Sequence, residues 1–145
     1  MPSSPPALAA LASGLSAAGK LDRSDIEALA GIGVRTIVNN RPDDEDPGQL
    51  PAAEARRIAQ SHGIAYHHIP VTAATLSRAD VDAFAAVLAN AAQPIVIHCR
   101  SGTRSTLLWA LTRLGEGADP ALLVAEAARH GIDIAALPVI AARLG

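Results

Sequence analysis

Aromatic residues are almost missing from this chain of 145 residues; Tyr66, Phe84 and Trp109 are the whole set. Its core must therefore be assembled from Leu, Ile, Val and Ala packed between layers. Cysteine is nearly absent too, and the single Cys99 excludes an internal disulfide and a Cys-rich zinc site. Positive charge is not in excess: the formal net charge is -2, which argues against a nucleic-acid partner, since that would want a basic face. No apolar run reaches the roughly 18 residues of a membrane helix, which argues against a membrane partner. The segment 1–18 contains no Lys or Arg and so lacks the basic start of a secretory signal. Its Pro, Ser and Ala content predicts a flexible or loosely packed N-terminus. The remaining expectations are a cytoplasmic location, a reduced Cys99, and a single domain over residues 19–145, with the oligomeric state left open.

What is present alternates between helical and extended patterns. Asp22 to Ala30 reads as a short helix capped by Asp22 or Ser24. Val34 to Asn40 reads as a strand, rich in β-branched residues. Pro42, Pro47, Gly48 and the acids Asp43 to Asp46 mark a loop over 41–50. Pro51 opens a second helix that Gly63 closes. Ala65 to Val71 reads as a second strand, and Ser77 with Asp80 resembles a capping box before the helix carrying Val81, Phe84 and Leu88. Pro94 to His98 is a third strand, whose Ile95-Val96-Ile97 run suits a central strand buried on both faces. Helices follow over Arg104 to Leu114, from Asp119-Pro120 to Gly131, and over Ile134 to Leu144, the last interrupted by Pro138. This order predicts an α/β domain of three layers, a mostly parallel sheet flanked by helices.

The chemistry concentrates in His98-Cys99-Arg100-Ser101-Gly102-Thr103-Arg104-Ser105, between that central strand and the next helix. The strand brings the chain to the carboxyl edge of the sheet, where open α/β sheets place their ligands. Gly102 lets the backbone curl so that amides of Arg100 to Thr103 point inward. With the positive end of the helix they form an anion site. The same field favours a thiolate on Cys99, the candidate nucleophile. Arg104 offers a planar fork of donors to an oxyanion. Ser105 is placed to donate a hydrogen bond to the Cys99 sulfur and ease its departure in a second step. His98 is read as ordering the loop, and Arg100 as pointing outward to meet anionic substrates. Arg41, after the first strand, is either a second cation of the pocket or the partner of the neighbouring acids. His67 and His68 alternate faces and lack a third ligand, so no metal is expected, and no cofactor is needed. His62 and His130 end helices and Trp109 lies on the loop helix; all three read as structural.

At these residues the sequence resembles the cysteine phosphatase superfamily, and within it the phosphatase-like domain of beta-lactamase hydrolase-like proteins. Gly19-Lys20-Leu21 is similar to that family's early Gly-Gln-Leu, with Lys20 replacing Gln. Gly33 to Pro42 resembles its first strand and turn, with Glu45 as the acid that follows. Gly63-Ile64-Ala65-Tyr66 and Ile69-Pro70-Val71 resemble its second strand, and His98 to Ser105 with Leu108-Trp109-Ala110 its catalytic loop and helix. The resemblance implies a tyrosine or dual-specificity phosphatase-like hydrolase acting through a phosphocysteine on Cys99. Its substrate would be a small anion or a phosphoprotein.

Two departures keep other readings open. Phosphatases of this superfamily place five residues between Cys and Arg, whereas four lie between Cys99 and Arg104. That spacing is similar to single-domain rhodaneses, which carry a persulfide on the cysteine. The loop Thr72-Ala73-Ala74-Thr75-Leu76 also lacks the Asp general acid that such phosphatases supply after the second strand. Asp43, Asp44 and Glu45 are the alternative acids, unless they form a solvated turn. A positioned acid contributes typically 10²- to 10⁴-fold, whereas sulfur transfer needs none. The alternatives are therefore a rhodanese-like sulfurtransferase and a non-catalytic anion-binding or sensor module, the latter with relatives fused to metallohydrolases.

Overall fold

Five strands form the sheet, two more than the β-branched runs announce. The computed structural model describes residues 4–145. The elements are β1 (Ala9–Ala12), β2 (Leu15–Ala18), α1 (Arg23–Gly31), β3 (Thr36–Asn39), α2 (Ala52–Ser61), β4 (Ala65–His68), α3 (Arg78–Asn90), β5 (Ile95–His98), α4 (Thr103–Gly115), α5 (Pro120–Ala128) and α6 (Leu137–Leu144). The strand order is β1-β2-β5-β3-β4. Only β1 runs antiparallel to its neighbour; β2, β5, β3 and β4 pair in parallel.

The expectation of a loosely packed N-terminus is corrected for residues 9–18; residues 1–3 lie outside the described residues. Ser13-Gly14, with Gly14 at φ +74°, turns β1 into β2 through a two-residue hairpin. In turn β2 pairs with β5 from Leu15–Ile95 to Ala18–His98. Leu11, Leu15 and Ala17 are buried in one apolar layer and Ala18 in the other, and burial of that kind holds a segment whatever its local propensity.

Helices cover both faces. Ile95 and Ile97 of β5 and Val38 of β3 point to a core with Phe84, Leu108, Trp109 and Leu111. Val96 and Ile37 point to the opposite core with Ile26, Leu29, Ala55, Ile58 and Tyr66. This period-2 alternation into two apolar layers is what a central parallel sheet requires. The capping boxes Asp22/Asp25 and Ser77/Asp80 start α1 and α3. Pro138 does not interrupt the last helix. It occupies the first turn of α6, where the missing N–H has no intrahelical partner to lose.

The register sets the site. Ala18, His98, Asn39 and His68 are level with one another at the ends of β2, β5, β3 and β4. The segments that follow these four ends therefore converge on one carboxyl edge.

Candidate active site

Cys99 leaves β5 fully buried. Gly102, at φ +91°, turns its backbone amide back to donate to the Cys99 Sγ at 3.1 Å. That conformation is open to glycine and strained for other residues. The turn is also closely packed from behind. A Cβ on Gly102 would approach the Ala18 carbonyl oxygen at 3.4 Å, and one on Gly19 would approach the Arg100 carbonyl oxygen at 3.1 Å. The Arg100 carbonyl accepts from the residue-20 amide at 3.1 Å. The end of β2 is thus the rear wall of the loop, a role the sequence reading left out. The signal that could have found it was the Ser13-Gly14 turn dipeptide between two short runs.

Arg104 lies in the first turn of α4. Both ends of its guanidinium are engaged: Nη1 with Glu45 Oε2 at 2.8 Å and Nη2 with Glu45 Oε1 at 2.8 Å. Nη1 also donates to the Val71 carbonyl at 2.8 Å. Glu45 holds the Arg104 charge above its ordinary range, and the neighbouring Cys99 sulfur adds to the effect. Conversely, hydrogen bonding from Arg104, helped by Arg41, holds the Glu45 carboxyl below the usual carboxylate range.

Arg41 is buried. Its Nε donates to Glu45 Oε1 at 3.0 Å, and its Nη2 pairs with Asp46. The two readings of Arg41 therefore meet in one residue, which lines the site's rim and satisfies the acids. Asp46 also pairs with the Nε of Arg100 at 3.0 Å, and Arg100 is 63% exposed, as an outward-facing residue should be.

The acids of the 41–50 loop divide: Asp43 and Asp44 lie in an exposed turn, whereas Glu45 and Asp46 are partly buried against the arginines. Asp43 Oδ1 accepts from the Ala52 amide at 2.9 Å, capping α2. Asp44 is exposed with φ +61°. Gln49 closes the loop, accepting from the Asp46 amide at 3.1 Å and donating to the Pro42 carbonyl at 2.8 Å. Of the three alternative acids only Glu45 meets the anion site, and there it is held ionised.

Ser105 behaves differently from its sequence reading. Its hydroxyl donates to Asn40 Oδ1 at 2.7 Å and not to the Cys99 sulfur. Asn40, fully buried, donates from Nδ2 to the Ile69 carbonyl at 2.9 Å and from its amide to the His98 carbonyl at 2.8 Å. It is a site residue that sequence reasoning missed, a buried amide tying β3, β4, β5 and α4 together. The available signal was a pair of Asn residues at the carboxyl end of β3, directly after the apolar Ile37-Val38. His98 orders the loop less than its sequence reading implies. It is buried and its Nδ1 has no hydrogen-bond partner. Burial pushes its pKa down to about 4, so near neutral pH it is an uncharged ring under the loop.

The whole is a cysteine sulfur with an amide donor and an arginine beside it, at a helix N-terminus and against the edge of a sheet. Such a constellation can stabilise a thiolate and hold an oxyanion next to it. Residues 7–118 match the family described as beta-lactamase hydrolase-like protein, phosphatase-like domain. A beta-lactamase hydrolase-like protein of Agrobacterium fabrum is 34% identical over 126 residues, 84% of this chain and 28% of that protein. The chain spans about a quarter of the length of the curated relatives it matches. A crystal structure of a candidate phosphatase from Neisseria meningitidis is 33% identical, with a TM-score of 0.78 covering 86% of this chain and 88% of that one. The core catalytic domain of a PP-IP phosphatase from S. cerevisiae shares the fold, with a TM-score of 0.68 at 16% identity, over 86% of this chain and 76% of that one.

Proposed function

The chain belongs to the phosphatase-like domain family of beta-lactamase hydrolase-like proteins, and on that premise we propose that it is a cysteine-dependent phosphatase-like hydrolase working through a phosphocysteine on Cys99. The observation that carries this reading is the Gly102 amide on the Cys99 sulfur, 3.1 Å away, with Arg104 alongside. In the first step the Cys99 thiolate attacks phosphorus and the bond to the leaving oxygen breaks. Loop amides and Arg104 bear the charge on the remaining oxygens. In the second, water attacks the phosphocysteine, phosphate departs and the thiolate is restored. The leaving oxygen needs a proton or must be stable without one. Glu45, held ionised by Arg104, is a poor donor, so the reading favours substrates with stable leaving anions, such as aryl phosphates.

A second reading rests on the same geometry. Four residues separate Cys99 from Arg104, no carboxyl among the described residues is hydrogen-bonded to the sulfur, and Ser105 is committed to Asn40. Sulfane-sulfur transfer needs none of these groups. The thiolate attacks the outer sulfur of thiosulfate, the sulfur–sulfur bond breaks, and sulfite leaves with the electron pair. Cyanide then takes the sulfur from the Cys99 persulfide as thiocyanate.

One pair of assays separates the readings. Wild type and Cys99→Ser are each given p-nitrophenyl phosphate, and separately thiosulfate with cyanide. The phosphatase reading expects phosphate release abolished by the substitution; release that persists in Cys99→Ser overturns it. Thiocyanate formation with a persulfide mass on Cys99 supports the second reading instead. Inactivity in both assays with retained sulfate binding identifies an anion-binding module.

A further inference from the structure

A cavity of about 450 Å³ is lined by Arg100 of the Cys99 loop, by Arg41 and Asp46, and by Lys20, Asp22 and Asp25. Its size is within the ~300–1,000 Å³ of small-molecule pockets. Its charges are unequally committed. Asp22 accepts from the Asp25 amide at 2.9 Å and the Ser24 hydroxyl at 2.8 Å, and Asp25 accepts from the Asp22 amide at 2.9 Å. These two acids are thus occupied as the N-terminal cap of α1. Asp46 is secured by the buried Arg41. Arg100, 63% exposed, shares Asp46 with Arg41, and an exposed pair of that kind exchanges partners at little cost. Lys20 makes no ion pair among the described residues, and its amide is fixed to the Arg100 carbonyl at 3.1 Å. One uncommitted cation and one loosely committed cation therefore line a cavity that begins at Arg100, the residue after the nucleophile.

We infer that this cavity holds the part of the substrate that is not transferred, and that Lys20, joined by Arg100, binds a second anionic group on it. The inference rests on the phosphatase reading for the group at Cys99, and it assigns the substrate class: molecules with one anion for the loop and another, a carboxylate or phosphate, for the cavity. Lys20 is then a specificity-determining residue.

The test compares 4-nitrophenyl phosphate with its 3-carboxy derivative on wild type, Lys20→Gln and Lys20→Arg. Expected are a lower KM for the carboxylated substrate in wild type, a roughly three- to tenfold rise of that KM in Lys20→Gln, and near-normal values in Lys20→Arg. KM for the plain substrate should stay unchanged, and the preference should shrink as salt is raised. Equal treatment of both substrates by wild type, or a carboxylate preference that survives Lys20→Gln, overturns the inference. If neither compound is turned over, the phosphatase reading fails by itself. The two compounds then serve as ligands in calorimetry: weaker binding by Lys20→Gln of the carboxylated one alone upholds the cavity assignment, and equal binding overturns it.

Discussion

At the scale of single residues, the site is organised around one carboxylate. Glu45 bridges Arg104 and Arg41, and both terminal nitrogens of Arg104 are given to it. An oxyanion at Cys99 must share that guanidinium with Glu45 or displace it. Replacing Glu45 by Gln removes the competing charge, and sulfate should then bind at least about threefold more tightly. Because Cys99 is the only cysteine, protection against iodoacetamide, followed by mass spectrometry, reads this directly. Weaker protection in the variant would mean that Glu45 chiefly orients Arg104. The same substitution leaves two arginines facing each other, and should lower stability by about 1–2 kcal/mol at pH 7. Arg104 holds the Glu45 carboxyl low, so this contribution is present above the ordinary glutamate range. It is lost as acid protonates the folded carboxyl, and the stability gap between the two proteins should close there.

At the scale of elements, the loop is only as good as the wall behind it. Gly102→Ala places a side chain at φ +91° and against the Ala18 carbonyl. The expected loss is about 1–2 kcal/mol of stability, with a larger loss of anion protection because the amide on the sulfur is turned away. A chemical denaturation curve and the alkylation assay measure the two effects on one sample. Removing residues 1–18 deletes β1 and β2, strips the pairing of β5 from Leu15 to Ala18, and exposes the rear of the loop. That protein should lose its cooperative unfolding transition, whereas a loosely packed N-terminus could be removed without effect. Strands β3 and β5 were visible because β-branched and apolar runs signal burial directly, and β4 because its segment lies between the Gly63 helix stop and Ile69-Pro70-Val71. The Ala-rich strands β1 and β2 were not, because alanine carries little strand preference and only tertiary pairing places it there. The candidate catalytic loop could be picked out since its residues are local in sequence. The Ser105–Asn40 bond spans 65 positions, and Glu45 reaches Arg104 across 59; no local pattern announces such partners.

At the scale of the whole molecule, placing an imidazole under the active loop couples global stability to pH. His98 is buried in the central strand, and burial lowers its pKa to about 4. In the unfolded chain it returns to about 6.5. Between those two values the unfolded state binds the proton and the folded state does not, so stability falls as pH falls through that window. From pH 7 to pH 5 the loss should be about 2 kcal/mol, and it levels off once the folded ring also titrates, near pH 4. The window lies largely above the range where Glu45 and Asp22, both held low, begin to contribute. His98→Leu removes the titrating group while leaving an apolar side chain in the same layer. Urea unfolding at pH 7, 6 and 5 should therefore show a sloping stability in wild type and a markedly flatter one in the variant, whichever of the two is the more stable at pH 7. Parallel slopes in the two proteins would mean that the folded state accommodates a charged His98, and that the ring beneath Cys99 is not held neutral.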